Sequence, residues 1–203
     1  MPVDGLRAVI AELVSQVRPV DAQETTDQAA IAHWIESGLP LFRTNPPATP
    51  PRHLVSYFVP LDAAARSVLL GDHIKSGLWL PPGGHVEVGE DPRDTVERET
   101  LEELGVTAEF HPLVGGREPF FLTANPTVGE RSHVDVSMWF VLDCRRDLEL
   151  RPDPREFRSV RWYYIDEQLD WPADRFDPQM TRFIRKLKAA LPRDPLHDRS
   201  RTP

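Results

Sequence analysis

Apolar residues recur at helical spacing from the start of the chain. Leu6, Val9, Ile10, Leu13, Val14 and Val17 form one stripe, which predicts an amphipathic helix ending near Pro19. A second helix is expected after Asp27 as N-cap, closing at Gly38, with Ile31, Trp34 and Ile35 as its stripe. Four prolines within residues 43–52 then make a stiff, non-helical linker. After it the pattern becomes strand-like. HLVSYFVPL (53–61) and SVLLG (67–71) read as strands joined by a turn around Asp62–Arg66. LWL (78–80) reads as a short strand end, residues 81–91 as a loop, and residues 92–104 as a helix. AEFHPLVGG (108–116), HVDVSMWFVLDC (133–144) and FRSVRWYYI (157–165) read as further strands. Asp177-Pro178 opens a last helix carrying Met180, Phe183, Ile184, Leu187 and Leu191. Strands mixed with a few helices predict a layered α/β domain. It is expected over residues 51–192, preceded by an N-terminal helical appendage with its linker (1–50) and followed by a disordered tail (193–203).

The helix at 92–104 departs from a plain amphipathic pattern. Asp91 followed by Pro92 is a start signal, and Gly105 a stop signal. At about 100° per residue, Val96, Thr100 and Leu104 fall within about 80° of one another. Glu99, Glu102 and Glu103 fill the adjoining arc, with Arg98 beside them. Like charges three and four residues apart repel, by roughly 0.2–0.5 kcal/mol per pair when exposed. A solvated helix face is the bland explanation, and alone the three acids carry little weight. The segment before them adds weight. Pro81-Pro82-Gly83-Gly84 follows a strand, and paired glycines let backbone approach a ligand closely. Three carboxylates beside such a turn suit a hard divalent cation, which prefers oxygen ligands. The cation would remove the repulsion, and without it one carboxylate should keep its proton to a higher pH.

Composition narrows the options. The formal net charge is −8, so no bulk attraction to nucleic acid or to anionic membranes exists and neither partner is expected. No apolar run approaches the length of a membrane span, and the acidic, amphipathic start does not resemble a signal peptide. One cysteine, Cys144, allows no internal disulfide, which fits a reducing cytoplasm. Nothing around it suggests an activated thiol.

The sequence from Gly84 to Val106 resembles the signature of the Nudix hydrolases: Gly, five residues, Glu, seven residues, Arg-Glu, an aliphatic, any residue, Glu-Glu, any residue, Gly, an aliphatic. Here the positions are Gly84, Glu90, Arg98, Glu99, Thr100, Glu102, Glu103, Gly105 and Val106, and eight of the nine match. The departure is Thr100, close to valine in shape and able to bond back to the Val96 carbonyl. The flanks, LWLPPGGHVE and VRWYYIDE, also resemble the family, and the likeness spans about residues 52–192. It implies an α/β/α sandwich around a mixed sheet. It also implies Mg²⁺ or Mn²⁺ as cofactor and hydrolysis of a diphosphate bond in a small-molecule nucleotide such as a nucleoside triphosphate, ADP-ribose or a nucleotide sugar. By this resemblance Glu99 and Glu103 hold metal, and Glu102 is a further ligand or takes the proton from water. Arg98 orients a glutamate, with Glu90 as its partner or simply as a salt bridge. Gly83 or Gly84 contacts substrate or completes the metal shell.

Other residues carry weaker expectations. His73 and Lys75 either touch phosphate or form a basic surface turn. His133 and Asp135 share one face of a strand start and either reach substrate or end the strand. Glu118, Glu130 and Glu156 are candidates for a base outside the signature. Phe120, Phe121, Trp139, Trp162 and Tyr163 stack a nucleobase or, more commonly for strand aromatics, build the core. A nucleotide-binding regulatory domain without turnover is the alternative function, which the intact glutamates oppose. Removal of phosphates from an RNA 5′ end is disfavoured by the acidic charge. A calcium-binding module would need a ligand loop the chain lacks. The N-terminal helices are expected to cover the pocket or to form a homodimer interface.

Overall fold

The computed structural model describes residues 3–44, 50–126, 133–167 and 170–192. The tail expected at 193–203, the middle of the linker and Glu130 lie outside those residues. The central strand, β1 (Arg52–Asp62), is buried along nearly all its length. Leu54 and Phe58 face one side of it, and Val59 and Leu61 the other. A strand apolar on both faces must be covered twice. Helices α1 (Val3–Gln16), α2 (Ala22–Glu36) and α3 (Pro92–Leu104) cover the first face through Leu6, Ile10, Ile31, Trp34, Val96 and Leu104. Helix α4 (Met180–Ala190) covers the second through Met180, Phe183, Ile184 and Leu187. The result is the expected α/β/α sandwich.

The sheet is mixed. β6 (Val134–Asp143) runs parallel to β1, and β5 (Phe121–Pro126) lies antiparallel outside it. The other edge of β1 is shared. β2 (Ser67–His73) pairs with its end at Leu61 and Asp62, while β4 (Gly83–His85) pairs with Val55–Tyr57. β3 (Trp79–Leu80) and β7 (Phe157–Tyr164) pair with β2. This handover from β2 to β4 along one edge parts the sheet beside the Gly83-Gly84 turn.

Several local expectations are corrected. α2 starts after Asp21, not Asp27, because the Asp21 carboxylate caps the Glu24 N–H at 2.9 Å. Asp27 sits inside the helix, buried, and accepts from Gln23. Residues 108–116 form no strand beyond a single bridge between Phe110 and Leu142. The buried His111 accepts the Val114 N–H through Nδ1 at 3.1 Å and turns the chain there, with Gly115 and Gly116 at positive φ. Gly83–His85, read as loop, is strand β4. β5 carries no strong alternation and was not expected. α4 begins at Met180, since Asp177 caps the Gln179 N–H at 2.7 Å and holds the preceding turn. The apolar stripe of α1 and α2, considered above as a dimer face or pocket cover, is buried against the sheet. No described helix is long and apolar enough to cross a membrane.

Candidate active site

Helix α3 is built as its sequence dictates. Asp91 accepts the Arg93 N–H, Pro92 opens the helix, and Gly105 closes it at φ 70°. Thr100 is buried and donates its hydroxyl to the Val96 carbonyl at 2.6 Å, so the one unusual signature position packs without an orphan group. The stripe of Val96, Thr100 and Leu104 fixes the helix rotation, and that rotation turns the acidic arc toward β4.

There the glycines become necessary. Gly84 packs so closely on the Glu99 carboxylate that a Cβ would overlap it. Gly83 has φ 145°, and the Ser56 carbonyl occupies the place a side chain would take. Its N–H donates to Glu103 Oε2 at 2.8 Å. Glu103 and Glu99 are largely buried, whereas the Glu102 side chain is 58% exposed. Burial, reinforced by the charge of Glu99, pushes the Glu103 carboxyl up to about 8. Burial raises Glu99 as well. Of the three glutamates, the carboxyl that keeps its proton to about pH 8 is therefore Glu103.

Arg98 ties the group together. Its Nε and Nη2 donate to the two oxygens of Glu90 at 2.9 and 3.0 Å, and its Nη1 to Glu99 at 2.7 Å. Glu102 lies 3.7 Å from Nη1. Burial pushes Glu90 upward, but bonds from Arg98, the Glu87 N–H and the Thr95 hydroxyl outweigh it and leave the carboxyl below its usual range. Glu90 is thus a fixed anion that positions Arg98, and Arg98 in turn positions Glu99.

These groups line a cleft of about 1530 Å³. Glu156, also lining it, accepts from Lys75 at 3.3 Å, with His73 Nε2 3.5 Å away. His133 and Asp135 also reach the cleft, while Glu118 does not line it. Trp139, Phe121 and Tyr163 are buried core, and Phe120 and Trp162 pack on the edges of the two cores. Cys144 is buried and its thiol is pushed up to about 11 by burial, in keeping with an unactivated thiol. Sequence reasoning missed Arg43, Asp153, Arg155 and Asp177, which also line the cleft. Burial pushes Asp177 up to about 6. Its only sequence signal, an Asp before Pro, pointed to a helix start.

The oxygen-rich set of Glu99, Glu102 and Glu103 fits a hard divalent cation. Burial, with the charge of Glu99 added to it, keeps a proton on Glu103 that a divalent cation there would displace. The NUDIX domain profile matches residues 51–187. The chain belongs to the NUDIX family. Among its relatives is an asymmetrical bis(5′-nucleosyl)-tetraphosphatase of Sus scrofa, 36% identical over 89 residues, covering 44% of this chain and 57% of that protein. This NUDIX chain therefore spans little more than half the length of that relative. A CTP pyrophosphohydrolase of Escherichia coli K12 is 28% identical over 120 residues, 59% of this chain and 80% of the other. A solved MutT NUDIX hydrolase from Burkholderia pseudomallei superposes on 67% of this NUDIX chain and 98% of its own, with a TM-score of 0.51 and 18% identity, a likeness of fold.

Proposed function

We propose that this protein hydrolyses a diphosphate bond in a small nucleoside diphosphate derivative, with Mg²⁺ or Mn²⁺ held by Glu99, Glu103 and Glu102. The observation that carries this reading is the meeting of Glu99 and Glu103 with the Gly83-Gly84 turn on one wall of the cleft. A divalent ion at such a site neutralises phosphate oxygens and makes water a better nucleophile. The protein's own part is positioning and proton transfer. The Gly83 N–H fixes Glu103, and Arg98 fixes Glu99. Glu102, open to the cleft, takes the proton from the attacking water. Gly83 and Gly84 leave room for the diphosphate against the backbone. Lys75, Arg43 and Arg155 at the cleft supply positive charge for the remaining phosphates. Names of relatives that act on a tetraphosphate bridge and on CTP support a phosphoanhydride in a nucleotide as substrate. Nucleoside triphosphates, ADP-ribose and nucleotide sugars are the classes to compare. A single cysteine supports a reducing compartment such as the cytoplasm.

The test is product analysis over a panel of those three classes and dinucleoside polyphosphates. A nucleoside monophosphate released from one class names the substrate. Intact nucleotide throughout, with saturable binding, would instead support the regulatory reading.

A further inference from the structure

Next to the signature, three histidines and an aspartate converge from three adjacent strands. His53 lies on β1, His85 ends β4, Asp135 lies on β6 and His133 immediately precedes it. Registry brings them together. His53 stands opposite Asp135 in the parallel β1–β6 pair, and His85 stands opposite Val55, two residues along the same face of β1. The His53 ring lies 4.9 Å from that of His85 and 4.8 Å from that of His133, centroid to centroid. One potential ligand atom from each of the four residues lies within 4.8 Å of the others.

The hydrogen bonding of His53 makes this more than a polar cluster. Its Nδ1 sits 3.0 Å from the Pro50 carbonyl, which only accepts, so Nδ1 carries a proton. Nε2 then offers a lone pair. That lone pair lies 3.2 Å from Asp135 Oδ1, a second acceptor. Among the described residues, His53 Nε2 and Asp135 Oδ1 are both buried with no hydrogen-bond partner. His53 is fully buried, out of reach of bulk water. His133 Nε2 lies 3.2 Å from the same carboxylate oxygen. Two buried acceptors facing each other, His53 Nε2 and Asp135 Oδ1, call for a cation between them.

We propose that His53, His85, His133 and Asp135 form a structural transition-metal site, with Zn²⁺ as the preferred ion, separate from the oxygen site of Glu99, Glu102 and Glu103. Three imidazoles and one carboxylate match Zn²⁺ and are poor for Mg²⁺, which avoids nitrogen ligands. Ligands about 2.0–2.1 Å from a tetrahedral ion stand about 3.3 Å apart, so the four groups close in by a side-chain adjustment. Arg43 Nη1, 3.4 Å from His85 Nε2, makes a long contact that is easily given up. The bound ion would fasten β1, β4 and β6 at the cleft rim and so hold the strand that carries Gly83 and Gly84.

The full chain, stripped with chelator, is titrated with Zn²⁺ and with Co²⁺ in excess Mg²⁺. One equivalent should bind, and Co²⁺ should show the intense visible bands of tetrahedral coordination. D135N should weaken Zn²⁺ binding by at least the roughly 10–100-fold typical of losing a supporting group around a metal. H133Q, at the partly exposed rim, serves as the second variant where D135N fails to fold. E99Q/E103Q should keep the Zn²⁺ equivalent. The proposal is overturned by a wild-type chain that takes up no ion beside Mg²⁺. It is equally overturned by uptake that survives both D135N and H133Q, or that disappears with E99Q/E103Q.

Discussion

At the residue scale, the proposed chemistry turns on Glu103. Its raised pKa means the metal-free folded protein binds a proton that the unfolded chain releases near pH 4.5. Stability conferred by that proton is complete at low pH and is lost as pH climbs toward about 8. Thermal melts in chelator should show the wild type losing stability between pH 5 and 8, on the order of a few kcal/mol, while E103Q keeps only the shallower slope left by Glu99 and Asp177. Added Mg²⁺ should restore the wild type at pH 8 and release a proton near pH 7, measurable in weakly buffered solution. Equal pH slopes for wild type and E103Q would refute this assignment. Arg98 gives a second test. R98Q leaves Glu90 and Glu99, both mostly buried, without their shared cation. It should cost roughly 1.5–3 kcal/mol of stability and most of the activity. R98K should rescue little, because lysine cannot bond both carboxylates in the same fork. Full activity in R98K would show that charge alone suffices.

At the element scale, the turn before α3 and the helix itself work as one unit. G84A places a methyl group into the Glu99 carboxylate. Its far-ultraviolet spectrum should match the wild type while turnover falls by at least tenfold, a displacement of Glu99 rather than a loss of fold. Normal turnover in G84A would separate the turn from the chemistry. The helix was legible in the sequence down to its caps, because Asp91, Pro92 and Gly105 act on their own neighbours in the chain. So were β1, β2 and β6, from their apolar runs, and β7, from its aromatic residues Phe157, Trp162, Tyr163 and Tyr164. Residues 108–116 were not, since His111 folds its own backbone there and hydrophobicity does not record that bond. β4 was hidden for a related reason. Two glycines pair with β1 only because the sheet edge is free at that point, which is a tertiary fact. The three glutamates were legible as a group. That Glu103 carries the raised pKa while Glu102 stands in the open depends on burial, which the helix spacing could not rank.

At the scale of the molecule, the N-terminal helices share the core of the NUDIX domain. Leu6, Ile10, Val14, Ile31, Trp34 and Ile35 pack in one cluster with Leu54, Phe58 and Val136. α2 is also tied to α4, by Arg182 to Asp21 at 2.7 Å and by Lys186 to the fully buried Glu24 at 2.6 Å. A chain beginning at residue 51 should therefore lose its cooperative melt, and the matched region should not stand alone. E24A strands the Lys186 ammonium in the core and should cost about 3–5 kcal/mol. A well-folded truncation with unchanged melting would return these helices to the status of an appendage. The cluster of His53, His85, His133 and Asp135 belongs to this scale too. Its members are dispersed along the chain and meet only through the register of three strands.

The central claim is that the three glutamates hold a divalent ion and that this ion is needed to cleave a diphosphate bond. Turnover of the best substrate from the panel, titrated with Mg²⁺ in wild type and E103Q, tests it most directly. Expected are no turnover in chelator, saturation with Mg²⁺ in the wild type, and a loss of at least about 100-fold in E103Q, the size seen when a single stabilising group at a reacting centre is removed. Hydrolysis that persists in chelator, or an E103Q rate within a few-fold of the wild type, would contradict it.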